Sequence, residues 1–271
     1  MLRLRVLTAA IGVPLVILSV MFGLTSFAVF LSVVAGMCTY ELCSLAPGLS
    51  RRDWLVMSAV ALSVALALCR MLPLSTAQAT LLVTGPLLAS LLTLLGYSKD
   101  GRTFARWSWT VAGALYVGWL LGHWGATYAL PDGRDLVLFG IFTTFFYDTF
   151  AYFTGRAFGR HKLAPHLSSG KTWEGVAGGF AMAVIGGLLV RLVLTRASGG
   201  FAFSMPATAA VSVCLALAAQ TGDLVESAVK RSAGVKDAGR TLPGHGGMLD
   251  RFDSLLFVGP VLYYLALWVT A

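Results

Sequence analysis

The chain has 271 residues, of which 57% are hydrophobic and only 12% charged, and its mean hydropathy is +0.80. Soluble domains carry about 25% charged residues, so this composition argues against a string of water-soluble domains and for a bilayer solvent. The net charge of +8 would suit a nucleic-acid binder, but nearly all of the basic residues fall on one side of the apolar segments.

A stretch of roughly 17 to 25 apolar residues crosses the hydrocarbon core as a helix. In chain order the sequence predicts about nine such spans, at 6–23, 26–45, 54–72, 78–96, 109–130, 136–155, 173–194, 205–222 and 254–270. The first follows Arg3 and Arg5 and is similar to a signal peptide. Further spans follow it without a small-x-small cleavage site, so it is expected to be retained. The sixth span contains Asp148 and the seventh Arg191. Pro14, Pro86 and Pro260 inside spans are tolerable as kinks. Glycines four apart (Gly118/Gly122, Gly155/Gly159, Gly175/Gly179) predict close helix packing. Cys38, Cys43, Cys69 and Cys214 lie in apolar segments without a CxxC pair, which predicts buried packing and neither disulfides nor zinc. The expected fold class is all-α, a polytopic membrane helical bundle.

With nine spans and the N-terminus on one side, that side receives 16 of the 20 Lys and Arg residues. Only Arg70, Arg134, Arg191 and Arg196 fall opposite. The positive-inside rule puts the basic side, and the N-terminus, in the cytoplasm. Anionic lipid head groups then account for the basic excess, and nucleic acid is not needed. The expectation is a multi-pass protein of a bacterial inner membrane with its site facing the cytoplasm.

Chemistry is uneven along the chain. Residues 1–135 are apolar with short loops and are expected to supply packing, oligomer contacts such as those of a homodimer, or a lipid-facing wall. Residues 136–271 hold the polar clusters. Asp148 sits inside a span, where a carboxylate is by default a functional hypothesis. Ser169-Gly170-Lys171-Thr172 is similar to the end of a P-loop, but Pro165 stands where the first glycine is required and no strand precedes it, so that reading fails. Lys171 can still attract a phosphate, with Glu174 orienting it. His161 and His166 are five apart in a loop, a poor spacing for a shared metal face.

The densest block is residues 222–254. Asp223, Glu226, Ser227 and Lys230 share one face if the eighth span continues as a helix. Asp250, Asp253 and Ser254 form a second face at the start of the last span. Acidic helix ends that meet at a membrane surface need a cation, and hard oxygen ligands favour Mg²⁺ shared with phosphates. Gly244-His245-Gly246-Gly247 has the composition of an anion-binding nest, next to a helix N-terminus. Lys230, Arg231, Lys236, Arg240 and Arg251 can clamp a polyphosphate. Solvated loop charges balanced by neighbouring Lys and Arg are the bland alternative.

Ser227-Ala-Val-Lys230-Arg231, then Lys236-Asp237-Ala-Gly239, then Leu242-Pro243-Gly-His245-Gly246-Gly247-Met248-Leu-Asp250-Arg251-Phe252-Asp253 resembles the signature of the phosphatidate cytidylyltransferases, or CDP-diacylglycerol synthases. Asp148-Thr-Phe-Ala-Tyr152, His161-Lys-Leu-Ala-Pro165 and Lys171-Thr-Trp-Glu174-Gly175 are also similar to that family, and the resemblance covers about residues 140–260. Phe146-Tyr147 departs from it, since smaller or polar residues usually precede the aspartate.

The resemblance implies transfer of a cytidylyl group from CTP to phosphatidic acid with Mg²⁺, and leaves open a second, monovalent cation. It implies Asp223 and Asp250 as metal ligands, and Lys230, Arg231, Lys236 and Arg251 as holders of the CTP phosphates and lipid head group. His245, Gly246 and Gly247 would shape the pyrophosphate pocket. Asp148, Glu226, Asp237 and Asp253 would support the metal site. A CTP-dependent kinase acting on a lipid alcohol, and an ion transporter, are the alternative functions; the first differs in its product, the second in needing no nucleotide turnover.

Overall fold

A computed structural model describes residues 2–46, 48–49, 53–95, 101–239, 241–242 and 246–270. Arg51, Arg52, Lys99, Arg240, Pro243, Gly244 and His245 lie outside the described residues. The chain forms two compact units, one of residues 1–126 and 232–252, the other of residues 127–231 and 253–271.

The first unit opens with helices α1 (Leu2–Met21), α2 (Leu24–Ser44), α3 (Trp54–Met71) and α4 (Thr76–Leu92). Asp53 caps α3 by accepting from the Leu55 N–H at 3.1 Å, and Ser75 with Gln78 forms a capping box on α4. Each device satisfies amide groups that the first helical turn leaves without a partner. α5 (Thr103–Ala114) then passes through a π-helical turn, Leu115–Trp119, into α6 (Leu120–Tyr128). The core of this unit gathers Cys43, Val56, Ala59, Leu62, Leu66 and Ala114. Thr39 donates to Ser63 at 2.7 Å across α2 and α3, the kind of interhelical polar bond that serves as glue where lipid supplies no hydrophobic drive.

The second unit is built on α7 (Gly133–Phe158) and α8 (Trp173–Ser198), joined by a hairpin of β1 (Lys162–Ala164) and β2 (Ser168–Thr172). Contacts fall from Gly155 against Gly175 to Phe146 against Gly186, so the two helices run antiparallel. A Cβ on Gly175 would lie 2.7 Å from the Ala151 carbonyl oxygen and 3.1 Å from the Gly155 Cα, and one on Gly179 would meet the Tyr147 ring at 2.8 Å. The spaced glycines are therefore the packing surface expected from the sequence. Gly175→Ala is predicted to destabilise the protein by about 1–3 kcal/mol through overpacking. A lower melting temperature in detergent would show this, and an unchanged one would contradict the packing account.

α9 (Met205–Ser232) has 28 residues, about 42 Å at 1.5 Å per residue, against a hydrocarbon core of about 30 Å. The apolar stretch ends near Gly222, but the helix continues for almost three turns with the polar residues on it. α10 (Leu249–Thr270) closes the chain.

Among the described residues seven helices are long and apolar enough to cross a membrane. The chain is a polytopic helical bundle, as expected, and the count of nine spans is not confirmed. α1 is helical over Leu2–Met21, and the fifth expected span lies within a helix that continues from Thr103 to Tyr128 through the π turn. Cys38 and Cys43 are buried as expected, whereas Cys214 is exposed on α9, where its apolar thiol suits a lipid-facing surface.

Candidate functional site

In the second unit the last turns of α9 carry the face that the spacing predicts. Lys230 Nζ pairs with Glu226 Oε2 at 2.5 Å, one turn apart. The Ser227 hydroxyl donates to Asp223 Oδ1 at 3.4 Å. From outside the helix, Lys171 Nζ reaches Asp223 Oδ2 at 2.6 Å. On α10 the Ser254 N–H donates to Asp253 Oδ1 at 2.7 Å, and the Ser254 hydroxyl reaches Asp148 Oδ1 of α7 at 3.5 Å. α9 and α10 approach closely because Gly222 has no side chain; a Cβ there would lie 2.5 Å from the Asp253 carbonyl oxygen. One turn before Asp223, the buried Gln220 accepts from the Tyr147 hydroxyl at 2.5 Å and ties α9 to α7.

The charges of Asp148, Asp223 and Glu226 all act on Asp253, while Lys171 and Lys230 are the ammonium groups paired into the set. Asp223 and Glu226 are each matched by an ammonium group, and Asp148 and Asp253 lie on either side of Ser254; carboxylates gathered in this way repel one another and favour a counter-charge. Among the described residues no three Asp, Glu, His or Cys side chains are grouped closely enough to hold a metal by themselves.

Lys171 is held in place by the hairpin. Thr172 caps α8 by accepting from the Gly175 N–H at 3.2 Å. Glu174 turns back onto the hairpin base, accepting from the Arg160 N–H at 3.1 Å, the His161 N–H at 3.2 Å and His161 Nδ1 at 2.6 Å. Arg231 Nε donates to the Leu167 carbonyl at 3.2 Å and fastens the hairpin tip to α9. Glu174, expected to orient Lys171, and Arg231, expected to meet phosphate, both contact the hairpin that carries Lys171.

The first unit holds the glycine turn and the start of α10. Asp250 Oδ2 accepts from the Ala238 N–H at 3.0 Å and the Gly247 N–H at 2.8 Å, bridging the two ends of the loop. Leu242 donates to the Gly246 carbonyl at 2.9 Å, and Gly246 has φ +79°, a left-handed conformation that glycine adopts without steric cost. Glu41 of α2, 3% exposed, joins this loop. It accepts from the Met248 N–H at 3.0 Å, the Leu249 N–H at 2.8 Å and the Thr241 hydroxyl. The amides of Gly247, Met248 and Leu249 thus donate to the carboxylates of this chain. Lys236, Asp237 and Arg251 are exposed, while Arg240 and His245 lie outside the described residues.

Glu41 was not among the residues singled out from the sequence. It is the single acidic residue in the first 52 positions, and a lone carboxylate in an apolar helix is a signal by itself.

Comparison with known proteins adds to this geometry. The profile of the cytidylyltransferase family matches residues 3–269. A phosphatidate cytidylyltransferase of Thermotoga maritima is 36% identical over 268 residues, covering 97% of this chain and 95% of that protein. One of Staphylococcus haemolyticus is 33% identical over 274 residues, covering 97% and 98%. One of Bacillus subtilis is 37% identical over 182 residues, about two thirds of each chain.

Proposed function

The chain belongs to the cytidylyltransferase family, and from that premise we propose that it transfers the cytidylyl group of CTP to phosphatidic acid, forming CDP-diacylglycerol and pyrophosphate. The full-length match to enzymes so named carries this reading, and the carboxylate–lysine cluster supplies chemistry suited to it. A phosphate oxygen of the lipid attacks the α-phosphorus of CTP as the bond to the β-phosphate oxygen breaks. That oxygen is already anionic at neutral pH, so no strong general base is required. Catalysis then rests on alignment and on neutralising charge.

Lys171 and Lys230, which pair with Asp223 and Glu226, would offer positive charge to a phosphate that displaces those pairs. Exposed Lys236 and Arg251 suit polyphosphate or head-group contacts. In the second unit Asp223 would offer a carboxylate to Mg²⁺, with Asp148, Glu226 and Asp253 in support; in the first unit Asp250 would do so, with Asp237 in support. Bound Mg²⁺ would stabilise the charge that develops on the transferring and leaving phosphates. The asymmetry of Lys and Arg along the chain supports a cytoplasmic orientation of this end of the bundle, and the bacterial relatives support an inner-membrane location.

Mass spectrometry of the lipid product from purified protein, phosphatidic acid and CTP tests the reaction. CDP-diacylglycerol with equimolar pyrophosphate is expected. A phosphorylated lipid alcohol with CDP would replace this reading with a lipid kinase.

A further inference from the structure

We infer that Glu41 is a positioning residue for cytidylyl transfer, holding the signature loop so that Asp250 is presented in one orientation; this rests on the function proposed above. The side chain comes from α2, far in sequence from the signature, and is almost fully buried at 3% exposure. A buried carboxylate without hydrogen-bond donors is strongly destabilising, and all three donors identified here come from the loop region: the Thr241 hydroxyl and the Met248 and Leu249 amides. Met248 N–H also reaches the Thr241 hydroxyl at 3.2 Å, so the two flanks of the loop meet on one carboxylate.

The glycines of the signature make room for it. A Cβ on Gly239 would lie 2.6 Å from Glu41 Oε1, and one on Gly247 would lie 2.5 Å from Oε2. Gly239 and Gly247 each follow or coincide with a residue whose amide holds Asp250, since Ala238 and Gly247 donate to Asp250 Oδ2. Moving the loop off Glu41 therefore moves both donors that fix Asp250. Glu41 acts through this backbone and touches no reacting atom.

The test uses the purified full-length protein. Glu41→Gln replaces one acceptor oxygen with an NH₂ group that faces amide donors. Hydrogen exchange of the segment 241–249 should quicken in this variant. Its kcat should fall ~10–100-fold, the range seen for groups that orient a ligand, with KM for phosphatidic acid little changed and the melting temperature largely kept. Glu41→Asp should recover part of kcat. If Glu41→Gln does not fold, Thr241→Val carries the test, because it removes a loop donor at an exposed position and leaves the carboxylate in place. It should show the same faster exchange and a smaller fall in kcat.

Faster exchange with wild-type kcat would overturn the positioning role, because the tether would then be structural only. Unchanged exchange would overturn the contact. A wild-type protein that exchanges slowly over 241–249 but makes no CDP-lipid would overturn the proposed function, and the inference with it, while leaving the tether standing.

Discussion

Asp223→Asn is expected to reduce turnover by roughly 100-fold or more, a loss comparable to or larger than that of one preorganised electrostatic contact at a transition state. Asp223 receives Lys171 at 2.6 Å and the Ser227 hydroxyl at 3.4 Å, and it lies within electrostatic reach of Asp253. On the proposed function its charge would serve twice, to attract a divalent cation and to hold the ammonium group of Lys171 until a phosphate replaces it. The Lys171 side chain is 18% exposed and that of Asp223 33%, so the pair is only partly screened by water. Asn leaves the lysine with a neutral partner in that setting. The protein should still insert and run as a single species, because α9, which carries Asp223, and the α7–α8 pair, whose hairpin carries Lys171, are held by apolar and glycine packing. A Lys171→Met/Asp223→Asn double variant separates the two readings of the pair. If the ion pair were only structural, removing both charges would restore activity as well as stability, because their loss would be coupled. Recovery of turnover in the double variant would remove Asp223 from the chemistry.

Asp250→Asn is expected to lose activity on a similar scale, roughly 100-fold, with its loop intact. The shorter bonds from both backbone amides meet Oδ2, at 3.0 Å from Ala238 and 2.8 Å from Gly247, and Ala238 also reaches Oδ1 at 3.3 Å. An asparagine oxygen at the Oδ2 position accepts the two shorter bonds, so the substitution removes the charge and gives up only the longest of the three contacts. Asp250→Ala removes the acceptor as well, and should add faster hydrogen exchange at the loop. Near-normal turnover in Asp250→Asn combined with loss in Asp250→Ala would limit Asp250 to bridging the loop.

The face of α9 was legible because helical periodicity alone puts Asp223, Glu226, Ser227 and Lys230 together, and the structure keeps that helix running to Ser232. The glycine packing of α7 against α8 was legible for the same reason, since a four-residue spacing repeats on one side of a helix. The ion pair from Lys171 to Asp223 was not, because it depends on a hairpin that folds residue 171 back across 52 positions of sequence. Glu41 was hidden by averaging: the mean hydropathy of the N-terminal half masks one carboxylate whose partners lie about 200 residues away. The π turn at Leu115–Trp119 has no composition signal, and it lies inside a helix that runs on from Thr103 to Tyr128. Local periodicity thus gave the elements and one face of the site, while the contacts that fix Lys171 and the signature loop arise from chain reversal.

The most direct test is label transfer by the purified protein in detergent, with phosphatidic acid, Mg²⁺ and CTP labelled at either the α- or the γ-phosphate, with and without EDTA. The account predicts α-label in a chloroform-soluble product, γ-label only in pyrophosphate, and no transfer in the presence of chelator until Mg²⁺ is restored. Transfer of γ-label to a lipid, or no transfer by protein shown to be folded, would contradict cytidylyl transfer; undiminished α-label transfer in EDTA would contradict the metal site.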